Sequence, residues 1–431
     1  MIIPPLAPPF SEMMFALTLA LLLLAPLVIA GIALINAGLG RSRSAAHAML
    51  GCAAILSVSA IAFAVAGAGF TGTPGGVAHS FQMAGKTWDW LGTGSFLLHH
   101  FDALSLQAQF AILLEFIAVA LAAYIPWGAG ADRLRLTAGC AITVVLAVAA
   151  FPLLAHWIWS GGWLAQLGTN FALGAGFIDG AGAATVHCLG GLSALAVIWI
   201  VGPRKGKFPK EGLATAMPGH NAVYVLFGGL VAFIGWMAWN IAGAILFLHT
   251  PPASLTVIAI NTLLSAAAAL LATSAVTRIR FGKPDASLCV NGWLAGLVVS
   301  SACAGIVTPG EAIFTGLVIG IATPLLVEVL ELALSIDDPS GAIAVHGAGG
   351  LWGLLAVGIF APQPGQFLAQ LVGVATLLGL VMPLIYLLFW LLNRVLPFRA
   401  DADGERLGMD LYELGGGAYP EFVIHRDESY R

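Results

Sequence analysis

Two histidines lie in matching surroundings. Asp179 to Leu192 reads DGAGAATVHCLGGL, and Asp338 to Leu351 reads DPSGAIAVHGAGGL. Eight positions agree at one spacing, D-x-x-G-A-x-x-V-H-x-x-G-G-L. Small residues recur by chance in such a chain, but an aspartate and a histidine held eight apart in two places do not. An imidazole can donate, accept or shuttle a proton near neutral pH. His187 and His346 could therefore relay protons, guide a small polar molecule or, joined by His156, ligate a metal. No HExxH or clustered His/Asp pattern supports the metal site. The plainest alternative is that each histidine only hydrogen-bonds a neighbouring helix. Two equivalent copies beside paired glycines favour a pathway, since ionisable groups within apolar spans are costly and tend to mark one.

The elements around them must be membrane helices. Of 431 residues, 59% are hydrophobic and 9% charged, against roughly 25% charged in an ordinary soluble domain. Hydropathy predicts eleven spans near 12–38, 46–69, 102–125, 134–154, 183–202, 220–248, 254–276, 287–304, 311–333, 343–362 and 367–396. No cleavable signal peptide is expected, because Met1 to Ser11 carries no Lys or Arg and the next apolar run is long enough to span. A net charge of −4 offers no basic face to nucleic acid. The five cysteines fall in apolar segments at scattered spacing and read as buried small side chains rather than a disulfide framework.

Charge placement fixes an expected topology. With the N-terminus outside, alternate loops and the tail place 16 of the 17 basic residues inside, leaving Lys86 outside. Enrichment of Lys and Arg in inside loops is what membrane insertion produces. The chain then divides into a membrane domain, 1–397, and a cytoplasmic tail, 398–431. The segments 70–101 and 155–182 become external, and Trp157, Trp159 and Trp163 suit the membrane interface.

The histidine segments open the fifth and tenth spans. Five spans per repeat is odd, so repeats at about 12–202 and 220–362 enter the membrane in opposite senses, with a long last helix at 367–396. Such inverted repeats place a functional site near the midplane. Gly190, Gly191, Gly349 and Gly350 would let the two backbones approach. Asp179 lies about 12 Å along a helix from His187, too far to orient it, and reads as an N-cap. Asp337 and Asp338 read likewise at the tenth span, and Glu115, Glu328 and Glu331 as inter-helix hydrogen-bond partners.

The chain resembles the Amt/Mep/Rh ammonium transporters along nearly its whole length. The resemblance is carried by Gly31 to Leu34, Ala155 to Gly162, Asp179 to Gly191, Gly235 to Asn240, Asp337 to Gly350 and Gly408 to Pro420. It implies a homotrimer in the cell (inner) membrane with one pore per subunit, an outside N-terminus and a cytoplasmic C-terminus. It further implies ammonium as substrate, no cofactor, no enzymatic activity, and a tail that in many members meets a PII-type signalling protein. His187 and His346 match the twin histidines of the pore, Trp159 the external tryptophan that recruits the cation, and Asp179 the acidic residue beneath it. The family's recruitment serine corresponds to Gly243. Of two entrance phenylalanines, one corresponds to Trp239 and the other falls around Phe110 to Phe116, with Leu114 the best match. An ammonium sensor, or a passive ammonia channel of the Rh type, is the alternative reading.

Overall fold

A computed structural model describes residues 11–73, 76–94 and 96–419. Among the described residues eleven helices are long and apolar enough to cross a membrane: α1 (Glu12–Leu39), α2 (Ser42–Thr71), α3 (Leu106–Ala129), α4 (Leu136–Ile158), α5 (Ala183–Val201) and α6 (Ala222–Phe247), followed by α7 (Pro252–Phe281), α8 (Ala286–Cys303), α9 (Pro309–Leu332), α10 (Ile343–Phe360) and α11 (Gln366–Val395). Each expected span is present. The third begins four residues later than expected because Ser105 caps it, accepting from the Ala108 amide. The turns before it hold Leu97, Leu98 and His100 at positive φ.

The two halves meet through equivalent helices. α1 packs on α6 where Gly31 meets the backbone of Gly228 and Ala232 so closely that no side chain fits between them. At the second crossing Gly191 of α5 abuts Gly347 of α10, while Gly350 of α10 abuts Cys188 of α5. These contacts exchange under the match of position 187 with 346, as a two-fold relation between inverted repeats requires. Without a hydrophobic force between helices in lipid, such close approach supplies the packing energy.

The segment 70–101 contains an element the sequence reading did not anticipate. β1 (Ala78–Met83) and β2 (Lys86–Gly92) form an antiparallel hairpin turning at Ala84 and Gly85, both at positive φ. Trp90 and Trp88 of β2 pack with Trp163, and Trp90 also meets Trp157. Trp157 is buried and its indole N–H donates to the Trp90 carbonyl. Trp157 and Trp163 therefore hold the hairpin to the helix ends.

At the opposite end the basic loops are ordered by buried ion pairs. Arg204 makes a two-pronged contact with Asp337, at 2.9 and 2.8 Å, and reaches Asp132 at 3.3 Å. Arg133 donates to the carbonyls of Gly202 and Asp337. Burial of Asp337 opposes ionisation, but the Arg204 and Arg133 charges outweigh it and hold its carboxyl below the usual range. Asp337 thus ties the end of α5 to the start of α10 and is not a cap. Asp338 does cap, accepting from the Ile343 amide and the Ser340 hydroxyl. Glu328 and Glu331 pair with Arg280 and Lys207.

The tail is docked from Phe398 to Tyr419, and its expected remainder, 420–431, lies outside the described residues, as does 1–10 at the other end. Arg399 donates to the carbonyls of Val201 and Pro203 at the end of α5, where a cation complements the helix dipole. Asp410 accepts from the amides of Ala46 and His47, and Glu413 from His47 Nε2 and the Leu136 amide.

Candidate functional site

α5 and α10 each open with a wide π-type turn, Ala183–Cys188 and Ile343–Ala348, and each turn carries one histidine. Such turns widen the helix and re-aim side chains, often at functional sites. Both imidazoles are buried, with Nδ1 of His187 3.2 Å from Nδ1 of His346 and the rings 17° from parallel. One Nδ1 must donate and the other accept, so the two neutral rings hold different tautomers. Their Nε2 atoms then differ too: one offers a lone pair and the other an N–H. His187 Nε2 has no hydrogen-bond partner.

Trp236 of α6 forms a wall along the pair. Its ring stacks on His187 at 5.0 Å and lies nearly parallel to His346 at 6.5 Å. The indole N–H donates to Ser301 Oγ, which donates in turn to Asn240 Oδ1. Asn240 is held by Thr262 and Ser300. A buried network with its polar groups satisfied fixes the indole plane. Past His346 lies a cavity of about 10 Å³ lined by Ile32, Ile35, Asn36, Ile125, Leu294 and Val345 among others, room for about one water.

Asp179 caps the start of α5. Its two carboxylate oxygens accept from the amides of Gly182, Ala183, Ala184 and Thr185 and from the Thr185 hydroxyl. It therefore sets the left-handed turn at Gly182 and the π turn that presents His187. The indole N–H of Trp159 donates to the Asp179 carbonyl at 2.9 Å. Trp159 also stacks on Phe247, 4.1 Å between centroids and 4° apart in plane, leaving at most the opposite ring face for a cation. Trp159, Ser160, Leu246, Phe247, Ala111 and Glu115 line part of a cavity of about 370 Å³ at the hairpin end.

The remaining expected residues are buried within the helix bundle. Trp239 donates its indole N–H to the Ala181 carbonyl at 2.6 Å. Leu114 is fully buried on α3. Phe110 packs its ring on Phe15 of α1, 5.1 Å between centroids. Gly243 is not an open position facing the cavity: a Cβ there would stand 2.7 Å from the Ala181 Cβ and 2.9 Å from the Gly180 carbonyl. His156 donates from Nδ1 to the Thr71 carbonyl, and its Nε2 has no hydrogen-bond partner. No group of three or more His, Cys, Asp or Glu able to hold a metal occurs among the described residues.

The sequence pattern of the Ammonium Transporter Family matches residues 14–419. The chain belongs to the ammonium transporter family. It is 33% identical to the ammonium transporter Amt2 of Archaeoglobus fulgidus over 93% of this chain and 86% of that protein. To the Amt2 of Haloferax mediterranei it is 32% identical, over 91% and 87%. Among solved structures, a protein named Sensor Amt Protein superposes with TM-score 0.83 at 26% identity, covering 93% of this chain and 97% of that one. Candida albicans Mep2, at TM-score 0.75 and 23% identity over 90% and 86%, shares the fold. Ammonium is the substrate of this family, whose members are multi-pass membrane transporters and not enzymes.

Within this ammonium transporter chain, sequence reasoning assigned no site role to Trp236 or Glu115, although both stand in stretches it singled out. Trp236 stands among 12 tryptophans, and nothing local marks it as the histidines' neighbour. Glu115 had a signal, being the single acidic residue of α3. Its expected inter-helix hydrogen bond is absent at Oε2.

Proposed function

We propose that the chain moves ammonium by recruiting the cation at the cavity beside Trp159, removing a proton, and passing ammonia along the His187–His346 pair. The observation that carries this reading is the buried Nδ1–Nδ1 contact at 3.2 Å against the Trp236 ring. A charged ammonium ion would lose most of its hydration in so apolar a passage, whereas ammonia loses far less. The pair's unlike Nε2 atoms offer ammonia an acceptor and a donor. The Nε2 that carries the lone pair takes the proton the ion loses, that ring passes its Nδ1 proton across the Nδ1–Nδ1 contact, and the second ring releases its Nε2 proton onward. Potassium has no proton to lose and meets the full barrier. In this reading Trp159 attracts a cation at the ring face opposite Phe247, worth about 0.5–2 kcal/mol, and Asp179 acts by holding the turn beneath it.

The hairpin end faces outward in this reading and the basic end faces the cytoplasm, as the loop charges favour. Trp239, Phe110 and Leu114 form the apolar barrier between cavity and histidines, and Gly243 replaces a recruiting serine. The protein works as a homotrimer in the cell membrane, and its docked tail is the surface for a PII-type partner.

A sensing role is the second reading, favoured by the likeness to the Sensor Amt Protein and by the tail's contacts with α2, α4 and α5. Ammonium flux into liposomes separates the two. Saturable flux that is lost in the His187→Ala, His346→Ala double variant supports transport, and binding without flux supports sensing.

A further inference from the structure

Glu115 is a buried carboxylate in the middle of a membrane helix, 3% exposed. Its Oε2 makes no hydrogen bond, and no ion pair reaches the residue among the described residues. Buried polar groups are nearly always satisfied, and an unsatisfied one calls for a missing partner such as an ion. Glu115 lines the 370 Å³ cavity together with Trp159, Ser160 and Phe247. The positions between it and the mouth on the same helix face, Ala111 and Ala108, are small and line the same cavity. At the mouth of the same cavity Gln107 of α3 is hydrogen-bonded to His249 at 3.0 Å, so an ion bound by Glu115 must pass or part this pair.

We propose that Glu115 and Trp159 together form a binding site for a monovalent cation carrying N–H donors, at the floor of this cavity. The site rests on the reading that ammonium enters here, and it names the group that supplies the affinity. A carboxylate neutralises the ion's charge and accepts its N–H bonds, while the indole face contributes the weaker quadrupole attraction. The carboxylate takes over the role that a serine at position 243 could not fill, because the backbone of Gly180 and Ala181 occupies that space.

The test uses the full-length protein purified in detergent and then in liposomes. Infrared difference spectra are recorded while ammonium chloride is perfused over protein labelled with ¹³C-glutamate. A glutamate carboxyl band should appear with ammonium, stay weak with potassium, and vanish in Glu115→Gln. In Glu115→Asp, ammonium binding should survive while the labelled glutamate band is lost. The half-saturating ammonium concentration for current should rise about tenfold or more in Glu115→Gln and little in Glu115→Asp. Wild-type current with no glutamate band, or an unchanged half-saturation in Glu115→Gln, overturns the site and leaves transport standing. A band lost in Glu115→Gln without wild-type current keeps the site and overturns transport. Should Glu115→Gln fail to fold, the wild-type band and its loss from the labelled set in Glu115→Asp still decide the matter.

Discussion

Gly243 of α6 lies so close to Ala181 that a Cβ at position 243 would stand 2.7 Å from the Ala181 Cβ. Ala181 belongs to the short segment between Asp179 and the turn that carries His187, and its carbonyl accepts the Trp239 indole. The glycine therefore acts on the geometry of the passage and not on the chemistry of the cavity. Gly243→Ser must push the 180–181 backbone aside, at a cost of about 1–3 kcal/mol. The variant should show a lowered unfolding temperature and no gain in ammonium affinity. A serine variant of wild-type stability that binds ammonium more tightly would show that position 243 does face the ion.

Asp179 gathers four amides and a hydroxyl, so its loss should be felt at His187 although the two do not touch. Asp179→Ala leaves buried amides unsatisfied and should destabilise the protein by about 3 kcal/mol or more. Asp179→Asn keeps one acceptor and should fall between. Unfolding of the purified protein in detergent measures both. A stable Asp179→Ala protein with normal flux would show that the turn is held by other contacts.

The tail offers a pH-dependent contact. Burial raises the Glu413 pKa, but the His47 hydrogen bond and the Leu136 amide outweigh it, and the carboxyl stays below its ordinary 4.5. A carboxylate depressed in the folded state contributes stability above that ordinary value, and loses it as pH falls through the lowered one. Tail docking should thus be intact at neutral pH and weaken below 4.5. Amide exchange across 410–414 should quicken there in the wild type, whereas Glu413→Gln should already exchange faster at neutral pH. Exchange indifferent to both changes would contradict the role of this contact.

The membrane architecture was legible because lipid imposes a hydropathy rule that holds residue by residue, and because loop charge alternates with helix count. The histidine pair was legible because the repeat printed the same residues twice. Asp337 was misread as a cap beside Asp338, since adjacent aspartates look alike until Arg204 arrives from a loop 133 positions away. The hairpin was hidden because the alternation Phe81-Gln82-Met83 and Trp88-Asp89-Trp90 is short, and Ala84 replaces the usual Asn or Asp of such a turn. Glu115 looked like a hydrogen-bonding partner because sequence cannot show which neighbours fail to reach it.

The central claim is that ammonium crosses by way of the paired imidazoles. Its most direct measurement is current across liposomes holding the purified protein after an ammonium jump, with potassium as control, in the wild type and in the His187→Ala, His346→Ala double variant. The account predicts a saturable current in the wild type that potassium does not evoke and the double variant lacks. A double variant with wild-type current and selectivity would contradict it.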